Sequence, residues 1–126
     1  MSIDWDMKKR QWVNDVTDLM KEIKNWCDNK QWQVVEQSKQ INEEYLGSYT
    51  VPMLMIVTPN GKFNIDPIGR NIIGAEGRVD INAIPSFNRM LLIHVEKKWL
   101  LKTESLIDWP NNWDEITFND ILVKLH

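Results

Sequence analysis

Asp80, Glu96 and Lys98 are the residues whose types and spacing could do chemistry. They stand in "RVDINAIPSFNRMLLIHVEKKW", residues 78–99, as an acid followed by an apolar run that closes in E-x-K. In a strand, alternate side chains share a face, so Glu96 and Lys98 would project together, with His94 on the same side. If Asp80 reached them, the two carboxylates would hold a hard divalent cation and the lysine would position and polarise an attacking water. Glu43 or Glu44 would supply a third acid from an upstream segment.

An acid before a strand that ends in E-x-K resembles the metal site of the PD-(D/E)xK nucleases. The resemblance covers Asp80, Glu96 and Lys98, and implies metal-dependent cleavage of phosphodiesters by those three residues. The acid stands in "VD", where the family often has "PD". The family's core also places a helix after the E-x-K strand, whereas "WLLKTES" follows here and reads as the returning arm of a hairpin. The competing reading of "VEKKW" is a solvated hairpin tip whose lysines protect an edge. A tight two-residue turn favours Gly, Asn or Asp, so the absence of all three predicts a looser four-residue connection.

Other constellations are weaker. "GRNIIGAEGRVD" would let backbone N–H groups approach an anion, with Arg70 or Arg78 pairing with it. It lacks the Walker and Rossmann glycine spacings, and no helix is expected after it. The glycines are expected to permit bends, and Arg78 to form an ion pair with Asp80 or Glu76. Cys27 falls on the apolar face of a helix, where a free cysteine is an inert small hydrophobe. His94 and His126 form no ligand cluster, so neither a metal nor a cofactor is expected. Trp109 and Trp113 flank a Pro-Asn-Asn turn and would either grip a partner or seal the end of the core, and sealing is the favoured expectation.

The elements that must position these residues follow from periodicity. Apolar residues at three-and-four spacing predict an amphipathic helix from about Asp4 to Asp28, including Trp5, Trp12, Val16, Leu19, Ile23 and Trp26. The period then changes to two. Strands are expected in "QWQVVEQSKQI", in "SYTVPMLMIVT", after a type I′ turn at Asn60-Gly61 as far as Pro67, around Arg78 to Ala83, in "RMLLIHV" and in "WLLKT". "TFNDILVKL" reads as a short closing helix capped by Thr117. The fold class is therefore α+β: a long N-terminal helix and a short C-terminal helix packed on a curved, mostly antiparallel sheet of about five or six strands.

The 126 residues suit one domain over 1–126, and 43% hydrophobic with 26% charged residues is ordinary globular composition. No apolar run approaches the roughly 20 residues of a membrane helix, and "MSIDWDMKKR" is too polar for a signal peptide, so a cytoplasmic address is expected. The net charge of −3 and the absence of a basic stripe count against nucleic acid as a partner. The leading expectation is a non-catalytic protein–protein interaction domain, in one version a small acidic immunity or inhibitor protein. Glu43, Glu44, Asp108, Asp114 and Glu115 would complement a basic partner. The alternative is a metal-dependent nuclease or phosphodiesterase using Asp80, Glu96 and Lys98. An exposed edge at the Pro52 strand would offer pairing to a second copy, giving a homodimer.

Overall fold

The apolar stripe of the first segment becomes helix α1 (Trp5–Asn29), which buries Trp12, Val16, Leu19, Met20, Ile23 and Cys27. Asp4 caps it by accepting the Met7 backbone N–H at 3.0 Å. At the other end Gln31 takes a left-handed φ of 61°. Gln31 N–H donates to Asp28 C=O and Trp32 N–H to Cys27 C=O, the paired bonds of a Schellman stop. The computed structural model describes residues 3–72, 74–103 and 113–125. Trp109, Asp108 and His126 lie outside them.

Six strands follow: β1 (Gln33–Glu43), β2 (Gly47–Thr58), β3 (Gly61–Gly69), β4 (Arg78–Ile84), β5 (Arg89–Val95) and β6 (Lys98–Thr103). Each pairs antiparallel with the next, in an open sheet ordered β1 to β6. Helix α2 (Glu115–Leu125) closes the chain. Antiparallel succession puts the β1–β2, β3–β4 and β5–β6 connections at one end of the sheet, here the upper end, and the β2–β3 and β4–β5 turns at the lower end. The core lies between one sheet face and the helices, with Leu54, Ile56, Phe63, Ile65, Ile81 and Leu92 meeting Ile23 of α1 and Phe118 and Ile121 of α2. The α+β expectation is met. None of the described helices is long and apolar enough to cross a membrane.

Four local expectations are corrected. Thr58 pairs with Gly61, so the β2–β3 turn is Pro59-Asn60 and not Asn60-Gly61. Neither residue has a positive φ, as suits a proline locked near −65°. Pro67 does not end β3, because the strand continues to Gly69 through a register shift against β4. The cap of α2 is Asp114, whose Oδ1 accepts the Thr117 N–H at 2.8 Å, and Thr117 itself sits buried in the first turn. Val95 pairs with Lys98, so the β5–β6 turn is a tight two-residue one, and Glu96 and Lys97 both take left-handed φ of 50° and 66°. Non-glycine residues adopt that conformation at a cost of roughly 1–2 kcal/mol each.

β2 changes the face it buries midway. Leu54, Ile56 and Thr58 are buried below Pro52, and Tyr49 and Val51 above it. Its register with β1 is continuous from Gly47 to Val57, so no residue has been inserted. The change coincides with the departure of β3, whose pairing with β2 begins only at Leu54. Pro52, which has no N–H to donate, lies in the stretch that β3 leaves open. β2 is thus an inner strand with one open stretch, while the sheet's edges are β1 and β6. Lys39 of β1 spans the gap, its Nζ donating to Asp66 Oδ1 and to Pro67 C=O at 2.6 Å each.

Candidate functional site

The residues of the acid and E-x-K pattern are not gathered at one point. Asp80 is 2% exposed. Its carboxylate accepts from Arg78 Nε at 2.7 Å and Nη2 at 2.8 Å, and Arg89 Nη1 stands 3.6 Å away. The expected Arg78–Asp80 pair is therefore present, and the Arg78 guanidinium is engaged with it. Asp80 pairs across the sheet with Leu91, whereas Lys98 pairs with Val95. Four residues of strand separate those two positions, about 14 Å. Glu96 lies in the turn itself. The reversal there also places Trp99, not Lys98, opposite His94, so Lys98 and His94 occupy opposite faces.

Arg70 contributes its backbone rather than a free cationic site: its N–H donates to Glu43, and its Nη1 reaches Asn71 Oδ1 at 3.4 Å. Trp113 is half-buried, donates its indole N–H to Glu22 Oε1 at 2.9 Å, and packs on Trp26 and Phe118 at centroid distances of 5.2 and 5.8 Å. Cys27 is fully buried, and burial pushes its thiol up to about 12, so it is a core residue. Glu115 touches Asn29 Nδ2 at 3.3 Å. Hydrogen bonds from Thr117 hold the Asp114 carboxyl below its ordinary value.

Chemistry-bearing side chains concentrate instead at the upper end, around Trp12. Its indole N–H donates to the Tyr49 hydroxyl at 3.0 Å, and that hydroxyl donates to Glu43 Oε2. Burial and the Glu43 carboxylate both push the Tyr49 phenol upward. Glu43 also accepts the N–H groups of Arg70 and Asn71, at 3.0 and 2.9 Å, and so ties the β3–β4 link to the end of β1. Gly69 permits that approach, because a Cβ there would stand 2.9 Å from Glu43 Oε1. On the other side of Trp12, its ring occupies the space of a Gly77 side chain, with 2.1 Å between that Cβ position and the ring.

His94 lies beside this cluster, 5% exposed, with its ring 4.6 Å from that of Trp99. Its Nδ1 is buried with no hydrogen-bond partner among the described residues, 3.8 Å from Asp15 Oδ2 and 4.0 Å from Glu76 Oε2. Burial raises the Asp15 carboxyl above its ordinary value, an effect that His94 and Lys97 oppose and Asp18 and Glu76 reinforce. The Cys27 thiol is remote from the imidazole, fifteen residues along α1 from Trp12, about 22 Å. Among the described residues no group of three His, Cys, Asp or Glu side chains could hold a metal ion.

The rim above this layer carries a stacked aromatic pair beside carboxylates. Tyr45, at the β1–β2 turn, is 67% exposed and left-handed with φ 70°. Its ring stacks on Trp5 at a centroid distance of 5.0 Å and an interplanar angle of 13°. Trp5, Tyr45, Glu43, Glu44 and Asn71 line a depression of about 370 Å³. An aromatic wall beside carboxylates suits a cationic side chain, which gains from the ring faces and from the acids together. Sequence reasoning found the acids here but read Trp5 as a helix-face residue and passed over Tyr45. The signal available was an aromatic followed by Leu46-Gly47 in a short turn. The chain matches no known family model, and no curated protein or solved structure shows significant similarity to it.

Proposed function

We propose that this protein is a non-catalytic protein-binding domain, of the small acidic immunity or inhibitor kind, acting in the cytoplasm. It takes a lysine or arginine of its partner into the depression between Trp5 and Tyr45 and the carboxylates of Glu43 and Glu44. One observation carries this reading: an aromatic ring 67% exposed, on a left-handed backbone, stacked over a second ring and rimmed by acids. Backbone strain of this kind persists where the side chain it presents has a use. A cation over such rings gains about 0.5–1 kcal/mol at an exposed site and about 2 kcal/mol when desolvated. The net charge of −3 would speed encounter with a basic surface.

The test is quantitative capture from a lysate of the producing cell, comparing the native chain with Tyr45→Ala and with Glu44→Lys. A partner held by the native chain and lost by both variants supports the proposal. A partner held equally by all three opposes it. Manganese-dependent cleavage of nucleic acid that disappears in Glu96→Ala would replace the binding function with the phosphodiesterase alternative.

A further inference from the structure

The rings of Trp5 and Tyr45 are stacked rather than angled, with centroids 5.0 Å apart and 13° between their planes. Trp5, at the start of α1, is partly buried against the core, and Tyr45 is the exposed outer ring. One face of Tyr45 is therefore covered by Trp5, and the other is left open. An ammonium, methylated or not, gains most where several ring faces converge on it in a cage. Parallel rings do not converge, so an ammonium here would meet one ring face and give up part of a strongly held hydration shell.

The two acids at this rim are not equivalent. Glu43 already accepts the Tyr49 hydroxyl and the backbone N–H groups of Arg70 and Asn71, so it lends mainly charge. Glu44 precedes Tyr45, and its backbone C=O accepts Asn71 Nδ2 at 3.1 Å. The Glu44 carboxylate has no hydrogen bond or ion pair among the described residues. It lines the same depression as Tyr45, so a group laid on the open ring face has an uncommitted carboxylate within the same site.

We infer that the cation taken at this rim is the guanidinium of a partner's arginine, lying flat on Tyr45 as the third layer of the stack with its N–H edge on the Glu44 carboxylate. The inference rests on the binding reading above and narrows its lysine or arginine to arginine. A guanidinium is planar and more weakly hydrated than an ammonium, and its five N–H donors lie in that plane. Stacking therefore leaves every donor free to reach sideways, and a fork of two can meet both oxygens of one carboxylate. A nucleobase would also stack on an open ring. The phosphate that comes with it would face Glu43, Glu44 and a chain of net charge −3.

Heteronuclear NMR titration of the intact chain with the N-acetyl N-methylamides of arginine, lysine, trimethyl-lysine and citrulline tests the inference. Lysine keeps the charge without the plane, and citrulline keeps the plane without the charge. The expected result is saturable shifts at Trp5, Glu44, Tyr45 and Asn71 with arginine, about fivefold weaker binding of both lysines, and no saturation by citrulline up to about 20 mM. Tyr45→Leu keeps an apolar side chain and removes the ring, so it should cancel the preference for arginine over lysine. Glu44→Gln should weaken arginine binding about fivefold. The comparison of the four ligands on the native chain does not depend on how either variant folds. Equal binding of arginine and lysine would overturn the inference and leave a general cation site. Tightest binding by trimethyl-lysine would overturn it in favour of a methylated ammonium, and equal binding by citrulline in favour of stacking without charge. No saturable shift with any of the four would overturn it together with the cation-binding reading of the depression.

Discussion

Two aromatic clusters stand at opposite ends of α1, built from similar residues, one covered and one open. Near its C-terminus, Trp26 meets Trp113 at 5.2 Å and Phe118 at 5.5 Å. Phe118 is fully buried on α2, and the Leu125 C=O at the end of that helix accepts from Ser86 Oγ and Asn88 Nδ2. Near its N-terminus, Trp5 stacks on Tyr45, which is 67% exposed on a left-handed backbone and rimmed by acids. Aromatic type alone therefore does not distinguish a covered cluster from an open one. What distinguishes them is whether the apolar surface is covered and whether the backbone beneath it is relaxed or strained.

The largest effect expected from breaking this contrast is at the closed cluster. Phe118→Ala should destabilise the protein by about 4 kcal/mol in urea unfolding, because the cavity lies among rings that cannot collapse into it. Next is Gly77→Ala, in the layer beneath the open cluster. Its φ of 150° and the Trp12 ring 2.1 Å from the new Cβ predict a loss of about 3 kcal/mol. Restoring turn chemistry at the upper end should act in the opposite direction. Glu96→Asn/Lys97→Gly should stabilise the fold by about 1 kcal/mol, since Asn-Gly suits a turn that needs positive φ at both positions.

The smallest effect is a pH slope at Asp15. Its folded value lies above the ordinary 3.8, so the fold favours the neutral acid. That contribution is fully present below 3.8 and is lost as pH rises through the folded value. Urea midpoints measured between about pH 3 and pH 6 should therefore slope less favourably with rising pH in the native chain than in Asp15→Asn.

Periodicity made α1 and the six strands legible, because each depends on local pattern. The face change at Pro52 was not, because it arises from where β3 leaves β2 rather than from any residue in β2. Local preference also misplaced two turns. Asn60-Gly61 has the favoured type I′ sequence, yet Thr58 closes the loop one residue early by accepting the Asn60 N–H on its Oγ1. Glu96-Lys97 has a disfavoured sequence, yet the β5–β6 register, with Trp99 against His94, leaves only two residues for the turn. At the site, the Arg78–Asp80 pair could be read from i, i+2 spacing on one strand face. Tyr45 could not, because its value lies in meeting Trp5, forty residues away in sequence.

The most direct test of the account is Tyr45→Gly, with thermodynamic stability and partner capture measured on the same preparation. Glycine relieves the left-handed strain as it removes the ring, so stability should stay within about 1 kcal/mol of the native chain while capture of the partner is lost. A large loss of stability with capture intact would contradict it, and would make Tyr45 a structural residue and the upper-end depression no binding site.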